Sequence, residues 1–356
     1  MRKTFDEVFE DRTKYGTKVK TDEYKECGAH IIIDQGQEQI AGYTDLEEGL
    51  LEEVPAIIFG DHTRVIKYVD EPFFLGADGV KVLRSKYENA NYKYLYYALK
   101  NANIPNTGYN RHFKWLKEVA IECPDMDKQA EIVDILDRVT AVIEDRKQEL
   151  QKLEKLIKAR FVEMFGDVKT GVYKYETRKL GDVAEVGSSH RVFTSEFVET
   201  GVPFYRGTEI GELANGIKPA NPYRITEEHY NRLACDESKP KIGDLLMPSI
   251  CNKGQVWMVD TEEPFYYKDG RVLCISPNRE LFNCKFLEQF MREKTMVEYP
   301  KLGSGSTFAE FKIFLLKEID VLIPPIEQQE QFAEFCKQID KSRFGKYLMR
   351  HNYLKV

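Results

Sequence analysis

The chain repeats one segment of its own sequence at an interval of 200 residues. Residues 116–139 read LKEVAIECPDMDKQAEIVDILDRV, and residues 316–339 read LKEIDVLIPPIEQQEQFAEFCKQI. Each copy has alternating apolar residues, then a proline, then apolar residues at helical spacing, which predicts a strand followed by a helix. A duplicated unit that ends in a helix predicts a pseudo-symmetric molecule with two equivalent surfaces, which suits a protein that reads two-part targets.

Looser similarities extend the repeat over most of the chain. YKECGAHIIIDQG (24–36) resembles FVETGVPFYRG (197–207), and EPFFLGADG (71–79) resembles EPFYYKDG (263–270). Short strands between glycine and proline turns predict a mixed α/β (α+β) fold in both copies. The predicted domains are a first unit at 1–125, a central helix at 126–166, a second unit at 167–325 and a shorter C-terminal helix at 326–356.

The segment from Asp127 to Met164 has the clearest helical pattern in the sequence. Its apolar residues recur at alternating steps of three and four, which is the heptad spacing of a coiled coil. The second copy loses this seam after Ile339, so we expect a shorter second helix. The residues predicted to pair the helices are Ile132, Leu136, Val139, Ile143, Leu150, Leu153 and Ile157, with Phe332, Cys336 and Ile339 in the second copy.

Composition limits the class of protein. Of the 356 residues, 42% are apolar, which is enough for hydrophobic cores. The chain has neither a run of about 18 apolar residues nor the apolar stretch of a signal peptide, so we expect a cytoplasmic protein without membrane contact. The seven cysteines include no C-x-x-C pair, so we expect no metal site. The net charge of −7 still allows nucleic-acid binding, because phosphate contacts need only a local basic patch.

The common enzyme motifs are missing from the sequence. There is no G-x-x-x-x-G-K-[ST] phosphate loop, no G-x-S-x-G elbow and no H-E-x-x-H helix. We therefore expect no catalytic residues and no cofactor bound by this chain. Two alternatives stay open: a stand-alone nuclease or methyltransferase with an unrecognised active site, and a coiled-coil interaction protein without a DNA role.

Loops rich in hydrogen-bond donors occur at matched places in the two units. Arginine, lysine, asparagine and serine side chains reach phosphates and base edges, and tyrosines pack on sugars or bases. Any one of these residues is more often part of an ordinary turn, and the set is informative because of its matched positions. The predicted DNA contacts are Arg64, Tyr109, Asn110, Arg111 and His112 in the first unit, and His190, Arg191, Arg206, Lys253, Tyr266, Ser304 and Ser306 in the second.

Taken together, the chain resembles the specificity (S) subunit of type I restriction–modification systems over nearly its whole length. The most specific similarity lies in the strand–proline–helix segments LKEVAIECPDMDKQ and LKEIDVLIPPIEQQEQF. ARFVEMFGD (159–167) resembles the end of the central conserved helix of that family. The stretch from 183 to 210 and GDLLMPS (243–249) resemble its second target-recognition domain.

The resemblance implies two pseudo-symmetric target-recognition domains separated by long coiled-coil helices, each domain reading one half of a bipartite DNA sequence. The helices would set the half-site spacing and dock two methyltransferase subunits, which restriction subunits would join. S-adenosylmethionine, ATP and Mg would be bound by those partners. The chain departs from the family in its shorter second helix and in its opening, where TFDEV replaces the L-G-D-V seen at 180–183.

Overall fold

The structure is a computed structural model that describes residues 1–76, 78–108, 110–235, 238–303 and 309–353, the last twelve of these as helical backbone. The chain forms two compact units, Met1–Lys147 (unit 1) and Gln148–Val356 (unit 2), which are described separately. The domain boundaries predicted from the sequence, which set the helices apart from the recognition domains, stay predictions.

Unit 1 is a mixed unit of short strands and helices. Its strands are β1 (Arg2–Thr4), β2 (Phe9–Asp11), β3 (His30–Ile33), β4 (Gly42–Thr44), β5 (Ala56–Gly60), β6 (Ile66–Val69), β7 (Phe73–Leu75), β8 (Val80–Ser85) and β9 (Ala120–Glu122). Its helices are α1 (Phe5–Val8), α2 (Tyr92–Lys100), α3 (Phe113–Lys117) and the start of α4 (Met126–Phe165), with 3₁₀ turns at Thr13–Tyr15 and Thr21–Glu23.

Unit 2 contains the same kinds of element in the same order, with additions. Its strands are β10 (Gly166–Asp167), β11 (Val172–Tyr173), β12 (Thr177–Lys179), β13 (Ala184–Gly187), β14 (Val202–Tyr205), β15 (Tyr223–Ile225), β16 (Leu245–Pro248), β17 (Trp257–Met258), β18 (Tyr266–Tyr267), β19 (Val272–Pro277) and β20 (Asp320–Leu322). Its helices are the end of α4, α5 (Leu180–Val183), α6 (Gly207–Ala214), α7 (Glu227–Leu233), α8 (Cys284–Glu298), α9 (Ile313–Lys317) and α10 (Ile326–Tyr353), with 3₁₀ turns at Thr194–Glu196 and Tyr299–Leu302.

The two units have the same sheet topology. The order β2–β8–β5–β6 in unit 1 matches β13–β19–β16–β17 in unit 2, and β4–β3–β7 matches β15–β14–β18. The pairs β3–β7 and β14–β18 are both parallel, whereas their neighbours are antiparallel. The antiparallel pair β1–β9 corresponds to β12–β20. The duplicated α+β fold predicted from the repeat is therefore confirmed. Helices α6 and α7 and the hairpin β10–β11 have no counterpart among the described residues of unit 1.

A central buried strand separates two hydrophobic clusters in each unit. Along β5, Ile57 and Phe59 face the cluster under α1 and α2, while Ala56 and Ile58 face the cluster under β3 and β7. This alternation follows from the two-residue period of a strand. Strand β16 is built in the same way, because its odd and even positions face different clusters. The loops at the strand ends are therefore held on a fully packed scaffold.

The prediction that a strand begins at Leu116 and at Leu316 is wrong. Leu116 and Leu316 lie in helices α3 and α9, and strands β9 and β20 begin only at Ala120 and Asp320. The three-residue step from Leu116 to Val119 fits one helical turn, and strand spacing begins only after it. Both leucines are completely buried, so this turn is held by the core of its unit.

The long central helix is confirmed. Helix α4 has 40 residues and ends before Gly166, whose φ of 100° strains any residue with a side chain. A Cβ at Gly166 would also lie 2.2 Å from the carbonyl oxygen of Val172. Helix α10 is shorter, at 28 residues, as predicted. It nevertheless continues as a helix to Tyr353, well beyond the point where its apolar seam ends.

The predicted helix-pairing residues divide into two groups. In unit 2, Leu153, Ile157, Phe332, Cys336 and Ile339 pack in one cluster, and their role in pairing the helices stays a prediction. In unit 1, Ile132 packs against the core under α2. Leu136 and Leu150 are half-buried. Val139 and Ile143 are 49% and 50% exposed, because they lie on the stretch of α4 outside both cores, and their pairing stays a prediction.

Candidate nucleic-acid interface

In unit 2, several strand ends meet at the turn between β18 and β19, residues 268–271. The Ser188 hydroxyl accepts from the Gly270 N–H at 2.8 Å and donates to the Val272 carbonyl. The Lys268 N–H donates to the Tyr205 carbonyl at the end of β14. The Ser249 N–H at the end of β16 donates to the Arg271 carbonyl. The ends of β13, β14 and β16 are thus fixed around one turn.

This turn carries a group of basic and acidic side chains at the surface, which we call the basic corner: Arg191, Lys268, Arg271 and Lys312, with Asp269 and Glu310. Arg191 Nε lies 3.2 Å from Asp269 Oδ2, and Arg271 Nη1 lies 2.7 Å from Glu310 Oε2. Lys312 also pairs with Glu310. Arg191, Arg271 and Lys312 are exposed, so their cationic groups can reach an anionic ligand.

Glu310 is held between two cations. The hydrogen bond from Lys312 is the largest cause that lowers the pKa of this carboxyl below its ordinary value, and the charge of Arg271 acts in the same direction. Glu310 therefore stays ionised near neutral pH and orients both cations. Removing either cation would leave the carboxylate paired with the other alone, so the two cations share one counter-charge.

Arg206 lies at the end of β14 but is tied to its own helix. Its backbone N–H and guanidinium both donate to the buried carboxylate of Glu209, at 2.8 Å and 2.7 Å. Burial opposes ionisation of Glu209, but the hydrogen bonds from Arg206 outweigh it and lower the pKa of the carboxyl. The guanidinium carbon also sits 4.5 Å from the ring centre of Tyr223. Arg206 therefore has a structural role at the start of α6 with its side chain partly exposed.

The remaining predicted residues of unit 2 lie in different settings. His190 is exposed, and its backbone N–H donates to the Tyr266 hydroxyl at 3.0 Å. Tyr266 itself is completely buried, so its predicted DNA contact is wrong and its role is to fix this loop. Lys253 is exposed on the loop beside α8, where Gly254 lies against the backbone of Arg292. Ser304 and Ser306 lie outside the described residues.

In unit 1, the loop before α3 is fixed by a buried histidine. His112 is completely buried, and its Nδ1 lies 3.0 Å from the carbonyl oxygen of Asp61. Its Nε2 lies 3.3 Å from the Thr107 hydroxyl. The predicted DNA contact of His112 is therefore wrong. The ring instead joins the end of β5 to the loop at 107–112, which places the neighbouring residues.

The other predicted residues of unit 1 surround this histidine. Arg64 has a φ of 62°, and its guanidinium donates to the Ile104 carbonyl, so this side chain supports the loop from within the unit. The Asn110 amide donates to the Thr107 carbonyl. Arg111 is exposed beside them. Tyr109 lies outside the described residues. Of the predicted set in unit 1, Asn110 and Arg111 thus remain candidates for direct contact.

Comparison with known proteins identifies the family. The profile of the type I restriction modification DNA specificity domain matches residues 2–155 and 173–345. The chain belongs to this family. A putative type I restriction enzyme specificity subunit of Haemophilus influenzae is 26% identical over 277 residues, which are 75% of this chain and 69% of that protein.

Two further similarities agree with the family match. The EcoR124I/EcoR124II specificity subunit of Escherichia coli is 31% identical over 160 residues, covering 41% of this chain and 39% of that protein. A crystal structure of the type I restriction–modification S subunit from M. genitalium superposes with a TM-score of 0.57 at 16% identity, covering 100% of this chain and 92% of that one. At this identity the superposition shows a shared fold.

Membership in the specificity-subunit family supports one interpretation over the alternatives left open by the sequence. The chain is a specificity subunit, which is a non-catalytic component, and the interpretations as a stand-alone enzyme or as a coiled-coil protein without a DNA role are not supported. In the described part of the chain, no three His, Cys, Asp or Glu side chains form a group that could hold a metal ion. No described helix is long and apolar enough to span a membrane.

Sequence reasoning missed the most prominent members of the basic corner. Arg271 gave no signal in the sequence because β-sheet pairing brings it there: β19 pairs with β16, and this register sets Val272 opposite Pro248. Glu310 and Lys312 form a short E-x-K triplet, which is common by chance in a chain with 31% charged residues. The hydrogen bond from the Phe311 N–H to the Ser249 carbonyl, which no sequence pattern indicates, brings them to the turn that carries Arg271.

Proposed function

We propose that each unit binds one half of a bipartite double-stranded DNA target and that the two units read different sequences. One observation carries this proposal. The same backbone position is filled by Arg271 in unit 2 and by Gly79 in unit 1. The Ser249 N–H donates to the Arg271 carbonyl, and the Asp61 N–H donates to the Gly79 carbonyl in the same way. Two domains with the same scaffold can read different DNA sequences only if equivalent positions carry different side chains, and this position does.

The side chains at the two equivalent turns suit different DNA contacts. In unit 2, Arg271 and Lys312 offer charged donors that suit phosphates and guanine edges. In unit 1, the corresponding turn carries Asp78, which pairs with Lys18 at 2.5 Å, and Gln35 donates to the Asp78 carbonyl. Arg111 lies near enough for its charge to lower the pKa of Asp78, after the larger effect of Lys18, and it offers a guanidinium donor. The acidic net charge elsewhere limits binding to non-specific DNA.

The partners follow from the same proposal. Two methyltransferase subunits dock on helices α4 and α10, and restriction subunits join that core. S-adenosylmethionine, ATP and Mg are bound by these partners, and none by this chain. The exposed apolar stretch of α4 around Val139 and Ile143 supports a docking role, because apolar side chains on a monomer's helix favour a protein partner. A complex of this kind acts on DNA in the cytoplasm.

Selection of bound duplexes from a randomised DNA library tests the two-reader proposal. The full chain is expected to select two short sequence blocks separated by a fixed gap. Arg271→Gln is expected to relax one block and Arg111→Gln the other. Arg178→Gln is the matched control, because Arg178 is an exposed arginine of β12 that pairs with Glu176 and not with Asp269 or Glu310. A change in both blocks from one variant would refute independent readers.

Helix α4 is proposed to set the gap between the blocks. Inserting one heptad between Val139 and Ile157 adds about 10 Å of helix, which is about three base pairs of DNA. The selected gap is expected to lengthen accordingly while both blocks stay unchanged. An unchanged gap would contradict the role of α4 in spacing and leave the two-reader proposal standing.

A further inference from the structure

In unit 1, one glutamine lies between the turn that joins β7 to β8 and the loop that follows β5. The side-chain amide of Gln35 donates to the Asp78 carbonyl at 3.1 Å, and its Oε1 accepts from the His62 N–H at 3.2 Å. The Gln35 carbonyl also accepts from the Thr63 hydroxyl at 2.6 Å. The donor and the acceptor of one half-buried amide thus join two separate loops, and we call these two side-chain bonds the Gln35 clamp.

Two glycines leave the space that this side chain occupies. A Cβ at Gly79 would lie 2.8 Å from Gln35 Oε1 and 2.9 Å from its Nε2, and a Cβ at Gly60 would lie 2.9 Å from the Gln35 Cβ. Gly79 also has a φ of 95°, a backbone conformation that a residue with a side chain adopts only with strain. The side chain of Gln35 therefore packs directly against the backbone of both loops.

Asp61, in the loop that follows β5, connects the clamp to the candidate DNA contacts of unit 1. Its N–H donates to the Gly79 carbonyl at 2.7 Å, and its carbonyl accepts from the His112 N–H at 2.8 Å. Asp61 is buried, so these bonds lie in a low-dielectric site where they are stronger than in water. The β7–β8 turn and the loop that contains Arg111 are thus held in one hydrogen-bonded network with Gln35.

The backbone on both sides of Gln35 is anchored by a buried cation. Lys67 Nζ lies 3.3 Å from Asp34 Oδ1, and the same oxygen accepts from the Gly36 N–H at 2.8 Å. The Lys67 side chain is only 2% exposed, so this ion pair is protected from solvent. Strand β6 therefore fixes the two neighbours of Gln35, which limits the directions in which its amide can point.

Unit 2 holds the equivalent turn with a side chain from another element. The equivalent strands β3 and β14 end at Ile33 and Tyr205, so Gln35 corresponds to Gly207. Gly207 has no side chain, and the Ser188 hydroxyl, which bonds both sides of the turn between β18 and β19, holds that turn instead. Because the two turns are fixed by different side chains, each can be released without the other.

We propose that Gln35 is the positioning residue of unit 1 for DNA reading: its clamp holds the β7–β8 turn and the loop of Arg111 in the arrangement that recognises one half of the target. The proposal rests on the proposed function of unit 1. It assigns no DNA contact to Gln35, because the donor and the acceptor of its amide are bonded within the unit. A change at Gln35 should alter the sequence preference of one block and retain the electrostatic affinity, which depends on exposed cations.

Selection of bound duplexes from a randomised library by the full chain tests this role. Gln35→Met keeps nearly the same side-chain volume but removes both bonds of the clamp. In the block that Arg111→Gln relaxes, this variant is expected to lower the preference for the selected base by about fivefold or more at one position at least, the size of one lost base discrimination. The other block and the salt slope of the affinity should stay unchanged. Selection of the wild-type block by Gln35→Met would overturn the proposal.

Two further variants show whether the effect is specific to the clamp. Gln39→Met changes a glutamine of the same loop whose amide donates to the Tyr68 carbonyl on β6 at 2.7 Å, and both blocks should stay unchanged. Ser188→Ala removes the corresponding support in unit 2 and should relax only the block that Arg271→Gln relaxes. If either variant relaxes the unit 1 block as much as Gln35→Met does, the proposal is overturned.

Hydrogen exchange of the full chain without DNA measures the clamp itself, at single amides by mass spectrometry with fragmentation. In Gln35→Met, exchange should be at least about tenfold faster at His62, which loses its acceptor, and at Asp61, whose acceptor moves with the β7–β8 turn. Gln35→Glu keeps the acceptor and loses the donor, so it should release Asp61 and leave His62 protected. Unchanged exchange at both amides in Gln35→Met, or the reverse pattern in Gln35→Glu, would overturn the proposal.

The failure of this proposal is distinguishable from the failure of the proposed function. If the wild-type chain selects two blocks and Gln35→Met leaves both unchanged, the positioning role fails and the two-reader function stands. If the wild-type chain selects no block, the proposed function fails, and the positioning role fails with it. Circular dichroism of each variant verifies folding, and Gln35→Glu keeps the test decisive if Gln35→Met unfolds.

Discussion

Gln129 and Gln329, 200 residues apart, make the same hydrogen bond within their own turns, but only Gln329 also bonds a second helix start. The side-chain amide of each donates to the carbonyl of the proline five residues before it, at 2.8 Å in both units. Gln329 is completely buried and also donates to the Leu281 carbonyl and accepts from the Asn283 N–H. It therefore joins the start of α10 to the start of α8, whereas Gln129 closes only its own turn.

Replacing Gln329 by alanine is expected to destabilise unit 2. The variant loses three hydrogen bonds and leaves the Asn283 N–H and two carbonyls without partners, so the free energy of unfolding should fall by about 2–4 kcal/mol. Trp257 is buried in unit 2 and Trp115 lies in unit 1. In a Trp115→Phe background, the fluorescence of Trp257 during urea unfolding reports on unit 2 alone. Gln129→Ala is the control, and it is measured on unit 1 through the fluorescence of Trp115 in a Trp257→Phe background, with an expected loss of about 1 kcal/mol or less. Equal losses of unfolding free energy in the two variants would contradict the inference that Gln329 stabilises its unit more than Gln129 does.

The repeat made most of the fold predictable. Identical Leu, Lys, Glu, Pro and Gln residues at a constant offset fixed the equivalence of the two units, and the heptad spacing fixed the long helix from near Met126 to Phe165. These signals are local, because they depend on strand and helix periods within one segment. Gly166 marked the end of α4 for the same reason, since only glycine readily adopts its backbone conformation.

The candidate site was less predictable because it depends on contacts between distant segments. His112 lies in a polar loop and Tyr266 in strand β18, and both are completely buried, where they hold neighbouring loops in place. A sequence pattern cannot separate a donor that faces solvent from one that faces a neighbouring carbonyl. Arg271 and Glu310 are 39 residues apart and meet only through strand pairing, so no motif joined them.

Glu209→Gln is expected to make the stability of unit 2 less dependent on pH. The pKa of Glu209 is lowered in the folded chain, so ionised Glu209 contributes stability above its unfolded pKa of about 4.3, and this contribution is lost as pH falls through the lower folded value. At pH 7 the variant should lose about 1.5–3 kcal/mol, the value of hydrogen bonds to a charged group. Thermal unfolding at pH 7, 5, 4 and 3 measures the difference, which should shrink below pH 4.

Glu212→Gln serves as the matched control for this experiment. Glu212 lies on the same helix α6, one turn after Glu209. Its substitution should change the melting temperature little at any pH. If Glu209→Gln lowers the stability equally at every pH, the charge of Glu209 does not contribute, and the packing of its side chain accounts for the loss.

Alkylation should separate the cysteines into two classes. Burial raises the pKa of Cys251 to about 11 and that of Cys274 to about 12, so almost no thiolate is present at pH 8. Cys27 and Cys235 are exposed. Iodoacetamide at pH 8 is expected to modify the exposed pair quickly and the buried pair only in denaturant, as followed by peptide mass spectrometry. Modification of Cys251 in the native chain at the rate of Cys235 would contradict its burial in the core of unit 2.

The basic corner should contribute measurable electrostatic binding to DNA. Arg271→Ala and Lys312→Ala each remove one exposed cation, so each is expected to weaken duplex binding and to reduce the slope of log affinity against log salt by about 1. Anisotropy titrations of the full chain between about 50 and 200 mM salt measure both quantities. Arg178→Ala, an exposed and paired arginine on β12, is the control that should change neither.

Glu310→Gln should act in the opposite direction. Its carboxylate holds Arg271 Nη1 at 2.7 Å and pairs with Lys312, so it neutralises part of the positive charge offered to a phosphate. The isosteric amide removes this charge while keeping the side-chain volume, so duplex affinity should rise and the salt slope should steepen. If Glu310→Gln instead weakens binding as much as Arg271→Ala does, the carboxylate orients the cations for recognition, and their free charge is not what DNA reads.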